Sequence, residues 1–88
     1  MDNLSLIIEA LLFSSSRPLS EKEILSAFDL RSPPTSSEIK EALKSIKEKY
    51  SENSIELVKV ASGYRLRIRQ EYSSWVAKLW EAKPQKYS

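Results

Sequence analysis

The chain has 88 residues, of which 41% are hydrophobic and 30% charged, and its formal net charge at pH 7 is +2. So short a chain buries only about 60–65% of its unfolded surface, which predicts one domain with a thin core. It has no cysteine, no histidine and a single glycine, Gly63, which excludes disulfides, thiolate or histidine metal sites and a glycine-rich phosphate loop. We therefore expect no cofactor and no enzyme activity.

The N-terminal segment lacks the pattern of a secretion signal. Asp2 stands where a signal peptide carries basic residues, and no apolar run approaches the roughly 18 residues that cross a bilayer. These features predict a cytoplasmic protein without membrane contact.

The first predicted element is a helix that is apolar on nearly all sides. One face follows the i, i+3, i+4, i+7 spacing and consists of Leu4, Ile7, Ile8 and Leu11, with Asn3 or Asp2 available as N-cap. The opposite face consists of Leu6, Ala10 and Phe13. Such a helix is either central in a core or shared with a partner. A second copy of the chain, with Trp80 also in the contact, would cover the opposite face. A C-terminal helix folded back across it would do the same, and both interpretations remain open.

Two more helices follow, each announced by a capping box. Ser20 and Glu23 precede a short helix, and Thr35 and Glu38 precede a longer one. The longer helix has one apolar stripe, formed by Ile39, Ala42, Leu43, Ile46 and Tyr50.

The next part of the chain predicts a β-hairpin. Residues 55–60 and 64–69 alternate with a period of two, and a positive φ at Gly63 would permit a tight reversal between them. The core side would then carry Tyr64, Leu66 and Ile68, and the other side Arg65, Arg67 and Arg69, with Lys59 as a fourth charge across the hairpin. The arginine row has three interpretations: a solvated strand face, a phosphate contact, or ion pairs with an acidic protein partner.

A final helix carries a broad apolar face and ends at Lys83-Pro84. The face consists of Tyr72, Trp75, Val76, Leu79 and Trp80, and its tryptophans are more typical of core or interface anchors than of base-stacking platforms. The element order predicts a mainly α fold with a small β-hairpin (α+β), a winged helix-turn-helix with an extra C-terminal helix. Residues 1–83 would form this domain and residues 84–88 the start of a linker. The expected core comprises Ile7, Ile8, Leu11, Ile24, Leu25, Phe28, Ile39, Leu43, Ile46, Leu57, Leu66, Ile68, Val76 and Leu79.

The third helix does not favour DNA binding. Its face opposite the core carries Lys40, Glu41, Lys44, Ser45 and Glu48, whose opposite charges can neutralise each other at i+3 and i+4 spacing. It has no arginine, asparagine or glutamine that could read base edges. We therefore expect little or no direct DNA binding.

Three segments carry a resemblance to a known family: IIEALLFSSSRPLS at 7–20, IELVKVASGYRLRIR at 55–69 and EYSSWVAKLWEAKPQKYS at 71–88. The hairpin with its GYRLR and the Tyr-x-x-Trp-Val step is the most specific part. Together they resemble the N-terminal half of the segregation and condensation protein B (ScpB) family. The serines at 14–16 depart from the family pattern, which has a small residue and often a glycine there, and the prolines at 33–34 also stand out.

The resemblance implies a non-enzymatic scaffold of the bacterial SMC–kleisin (condensin-like) complex in chromosome condensation and segregation. Family members form homodimers through this domain. They bind the kleisin subunit ScpA, and through it SMC, largely by a second winged-helix domain that these 88 residues do not include. Arg65, Arg67 and Arg69 would then be charged partner contacts or a solvated face. The alternative is a DNA-binding winged-helix domain of a transcription regulator.

Overall fold

The computed structural model describes residues 3–29 and 31–81. Three helices come first: α1 (Leu4–Ser14), α2 (Glu21–Leu25) and α3 (Ser36–Lys49). An antiparallel hairpin of β1 (Ile55–Val60) and β2 (Gly63–Ile68) follows, and a short 3-10 turn at Gln70–Tyr72 leads into α4 (Ser73–Glu81). This is the predicted winged helix with an additional C-terminal helix. The predicted helix end at Lys83-Pro84 and the predicted linker at 84–88 lie outside the described residues.

Both predicted capping boxes form. The Ser20 side chain accepts a hydrogen bond from the backbone N–H of Glu23, whose carboxylate accepts one from the Ser20 N–H. Thr35 and Glu38 make the same reciprocal pair at the start of α3. These contacts satisfy backbone donors that have no partner inside the helix, so the two helices begin at defined residues. Asn3 occupies the N-cap position of α1 but makes no side-chain capping bond.

Gly63 has a different role from the one that the sequence predicted, since its φ is not positive. Tyr64 exchanges two backbone hydrogen bonds with Leu19, of 2.8 and 2.9 Å, and this bridge adds the segment before α2 to the hairpin. A Cβ atom at position 63 would lie 2.4 Å from the carbonyl carbon of Leu19 and 2.7 Å from the backbone nitrogen of Ser20. The glycine is therefore required by the close approach of two backbones.

The core lies between α1, α2, α3 and the hairpin. Its buried residues are Leu4, Ile8, Leu12, Ile24, Ile39, Ala42, Leu43, Ile46 and Leu57, with Leu11, Leu19, Leu25, Phe28, Tyr50, Tyr64 and Leu66 packed against them. Most of the predicted core is confirmed. Ile7 is half-buried, whereas Leu4 and Leu12 are buried instead, because α1 turns the Leu4–Ile8–Leu12 row inward.

Two predicted core residues are exposed, Ile68 and Leu79, and Val76 is only half-buried. Ile68 lies at the open end of the hairpin, opposite the half-buried Ile55. Leu79 belongs to α4, which packs on the 3-10 turn before it and does not fold back over the core. The prediction for both residues was wrong because strand and helix periodicity report which side of an element is apolar, not whether another element covers it.

A polar contact also joins α1 to the end of α3. The carboxylate of Glu9 accepts hydrogen bonds from the Tyr50 hydroxyl and from the Lys49 ammonium, the latter at 2.9 Å. The hydrogen bond from Tyr50 first, and then the one from Lys49, lower the pKa of Glu9 below its ordinary value. The contact ties the outer edge of α1 to α3 and helps to orient the face of α1 that points away from the core.

Candidate interaction surfaces

The outer face of α1 is uncovered. Leu6 is 60% exposed and Phe13 77% exposed, and Ala10 between them is also exposed. The sequence left open whether the C-terminal helix would fold back over this face within one chain. The structure answers that question, because both large side chains remain in solvent although α4 is present.

Helix α4 presents a second uncovered apolar surface, the α4 face, formed by Tyr72, Trp75, Leu79 and Trp80. Trp75 is 68% exposed and Trp80 61% exposed, and Lys78 lies 5.5 Å above the Trp75 ring. Exposed tryptophans on one face of a short helix are unusual on a monomer and typical of a surface that binds another protein.

A shallow groove of about 230 Å³ lies between α1 and the open end of the hairpin. Its apolar lining consists of Leu12, Phe13, Ile55, Leu66 and Ile68. Phe13 and Ile68 are the exposed members of this set. The groove therefore joins the outer face of α1 to the strand that leads into α4.

The arginine row of β2 is largely engaged inside the domain. The Arg67 Nε donates to Glu56 at 3.0 Å. Arg69 donates to the backbone carbonyls of Tyr50, Ser51 and Asn53 at 2.7, 3.1 and 2.6 Å, and to Glu56 at 3.2 Å. Its guanidinium thus satisfies carbonyls at the C-terminus of α3 and in the loop that follows, where unpaired acceptors and the helix dipole favour a cation.

Of the three arginines, Arg65 is the one without a hydrogen bond or ion pair among the described residues. Arg67 is exposed as the sequence predicted, whereas Arg69 is half-buried. The contact of Arg69 with the end of α3 could not be predicted from local sequence patterns, because Arg69 lies 19 and 18 positions from its partners Tyr50 and Ser51. A free arginine stripe on the wing is therefore absent in the described part of the chain.

Lys59 does not belong to the arginine row. The strand register pairs Lys59 with Tyr64, so both side chains lie on the face of the hairpin opposite to Arg65 and Arg67. The Lys59 ammonium lies 5.8 Å from the centre of the Tyr64 ring. The expectation of a fourth charge beside the arginines is therefore wrong, because side chains alternate between the two faces of β1 and Lys59 lies on the face opposite to the arginines.

Lys59 instead borders a groove of about 330 Å³ between α3 and β1, which we call the lysine groove. Leu43, Leu57 and Tyr64 form its apolar part, and Lys40, Lys44, Lys47 and Lys59 surround it. In residues 3–29 and 31–81, neither Glu41 nor Glu48 lies within 4.0 Å of the Lys44 ammonium. The sequence contained this signal as lysines spaced by four and three residues on α3.

The described residues contain no group of three or more acidic side chains placed to hold a metal ion. None of their helices combines the length and the hydrophobicity that crossing a bilayer requires.

The structure is a winged-helix domain with two uncovered apolar faces among its described residues. Residues 6–88 match the family described as segregation and condensation complex subunit ScpB, and the chain belongs to this family, as the sequence resemblance predicted. A segregation and condensation protein B homolog from Coxiella burnetii (strain RSA 493 / Nine Mile phase I) is 44% identical over 86 residues. That alignment covers 98% of this chain but 41% of the relative, so the chain spans about two fifths of that protein.

Solved structures agree on the fold. ScpB from Mycobacterium tuberculosis superposes with a TM-score of 0.82 at 19% identity, over 99% of this chain and 53% of that one. A conserved hypothetical protein from Chlorobium tepidum gives a TM-score of 0.72 at 26% identity, over 89% and 48%. A dimer of the ScpB N-terminal domain complexed with a ScpA peptide gives 0.70 at 25% identity, over 84% of each chain.

Proposed function

We propose that this chain is the dimerising winged-helix domain of a non-enzymatic ScpB subunit. It acts as a scaffold in an SMC–kleisin complex that condenses and segregates chromosomes. The observation that carries the proposal is the pair of apolar surfaces on α1 and α4, which no other element of the described residues covers. Membership in the ScpB family and the dimeric, peptide-bound state of one structural neighbour support it.

The dimer interface that we propose combines the outer face of α1 with the α4 face. Its central residues are Leu6, Ala10, Phe13 and Trp80, and we add Trp75 and Leu79 because their side chains are exposed. Leaving a side chain such as Phe13 in water forgoes about 1.5–3 kcal/mol of burial free energy. A two-fold axis would place the α4 face of each copy over the outer face of α1 of the other, so that one contact is made twice. Helix α4 is suited to this arrangement because it does not cover the outer face of α1 in its own copy and its tryptophans are exposed.

The proposed partner is the kleisin ScpA, through which the domain would be linked to SMC. For the structural neighbour, an N-terminal domain dimer in complex with a ScpA peptide is known without a second domain. We propose that this chain likewise contributes to kleisin binding by itself, which differs from the expectation that binding falls largely to a second domain. Arg65 is the member of the arginine row that remains available for such a contact.

A DNA-binding regulator is the weaker candidate. In a winged helix that reads DNA, the third helix enters the major groove and the wing contacts phosphates. Here Arg67 and Arg69 of the wing are engaged by Glu56 and by backbone carbonyls, and α3 has no arginine, asparagine or glutamine to read base edges.

Kleisin capture tests the scaffold proposal. The full-length subunit and residues 1–88, each carrying an affinity tag, are mixed with the kleisin encoded by the same genome, and the retained kleisin is quantified. We expect both to retain it, with the shorter chain binding more weakly. If only the full-length subunit retained the kleisin, this domain would not bind the kleisin by itself. If neither protein retained it, the scaffold proposal would be contradicted.

A further inference from the structure

We infer that the lysine groove between α3 and β1 binds an acidic, amphipathic segment of a protein partner. This deepens the partner-binding part of the proposed function and rests on it, but it does not depend on dimerisation. The groove has an apolar surface from Leu43, Leu57 and Tyr64, surrounded by four lysines, and no acidic side chain of the described residues lines it.

The four ammonium groups are available to a ligand. In the described residues, none of Lys40, Lys44, Lys47 and Lys59 lies within 4.0 Å of a carboxylate, whereas Lys49, two residues after Lys47, is paired with Glu9. The contact between Lys59 and the Tyr64 ring keeps one ammonium at the groove. Like charges gathered around an apolar surface repel one another and favour an anionic partner.

The spacing of the lysines suits a helical partner. Lys40, Lys44 and Lys47 lie on one side of α3 at intervals of about 6 and 4.5 Å along the axis, given the rise of 1.5 Å per residue. Carboxylates at i, i+4 and i+7 on a helix laid alongside α3 have the same intervals. The leucines or other apolar residues between them would then face Leu43, Leu57 and Tyr64.

A nucleic acid fits the groove less well. A phosphodiester backbone has no apolar group to place against Leu43, Leu57 and Tyr64. Glu41 borders the neighbouring depression together with Lys40 and Lys44, so a duplex laid on α3 would meet a carboxylate there. A peptide of limited width can occupy the groove without approaching Glu41.

Fluorescence anisotropy with two labelled synthetic peptides tests the inference. One peptide consists of leucine and glutamate in a helical amphipathic repeat, and the other has every glutamate replaced by glutamine. The double variant Lys44→Glu, Lys59→Glu is compared with Lys22→Glu, Arg31→Glu, which makes the same change in net charge at exposed residues outside the groove. We expect the groove variant to bind the acidic peptide about tenfold more weakly or worse, the control variant to change by less than about twofold, and the glutamine peptide to bind weakly.

Three outcomes would overturn the inference. They are equal losses in the two double variants, equal binding of the two peptides, and displacement of the acidic peptide by random duplex DNA that binds more tightly. Since Lys44 and Lys59 are exposed, the variants should keep the thermal unfolding midpoint. The neutral pair Lys44→Gln, Lys59→Gln replaces the charge reversal if it does not. If the peptide fails while kleisin capture persists, the groove is rejected and the scaffold function stands.

Discussion

At position 63 the hairpin passes so close to the segment before α2 that a side chain has no room. Gly63→Ala would place a methyl group against the carbonyl of Leu19, and the bridge between Leu19 and Tyr64 would have to open. We expect a loss of about 1–3 kcal/mol in the free energy of unfolding, the usual cost of overpacking a tight contact.

Urea denaturation checks this expectation, with Ser62→Ala in the adjacent exposed turn as the control. An unchanged free energy of unfolding for Gly63→Ala would show that the two backbones are not held together in solution.

Glu9 predicts a dependence of stability on pH. Because hydrogen bonds from Tyr50 and Lys49 lower its pKa in the folded chain, its stabilising effect is complete above the ordinary carboxyl value of 4.5. The effect declines as the pH falls through the lower folded-state pKa. Glu9→Gln should therefore cost about 1–2 kcal/mol at neutral pH and much less near pH 3.

The test compares urea denaturation of both proteins across this range, with Glu52→Gln as an exposed control outside the contact. A cost of Glu9→Gln that did not shrink in acid would contradict the assigned role of the carboxylate.

Helix α3 depends on its capping box for a defined start. Thr35→Ala removes the acceptor for the N–H at the third helical position, and we expect it to lower the free energy of unfolding by about 1 kcal/mol. Ser37→Ala, in the exposed first turn of the same helix, serves as the control and should change little. Equal effects of the two substitutions on the thermal midpoint would argue against the cap.

Helix α4 should contribute to association rather than to the stability of one copy. Trp75→Glu removes an exposed side chain from the α4 face, whereas Ser74→Glu places the same charge about 100° around the helix from Trp75, outside that face. We expect only Trp75→Glu to weaken self-association, measured by sedimentation equilibrium, with far-ultraviolet circular dichroism unchanged in both. A large loss of helix signal in Trp75→Glu alone would instead place Trp75 in the core of its own copy.

Much of the fold could be predicted from local sequence. The capping boxes at Ser20 and Thr35, the alternation of the hairpin and the apolar stripe of α3 depend on neighbours a few residues apart, so one sequence is enough to identify them. The core position of Leu43 followed from the same periodicity.

The surfaces were less accessible to prediction because they depend on contacts distant in sequence. Arg69 was assigned to the solvent-exposed face of the hairpin, although its guanidinium donates to the Tyr50 carbonyl at the C-terminal end of α3. Leu79 was assigned to the core because the sequence pattern indicates the apolar side of α4 but does not indicate whether another element packs against it. The position of Lys59 could have been predicted correctly. Lys59 follows Leu57 by two residues in β1, so its side chain lies on the same face as Leu57 and Tyr64.

Two copies of the chain would cover the apolar surfaces of α1 and α4 that one copy leaves exposed. Light scattering at tens of micromolar measures this directly, as the mass of the chain is 10.1 kDa. We predict a dimer of twice that mass, which Phe13→Glu splits into folded monomers and which the exposed control Ser16→Glu leaves intact. A monomer mass for the unmodified chain, or a dimer that Phe13→Glu does not affect, would contradict the account.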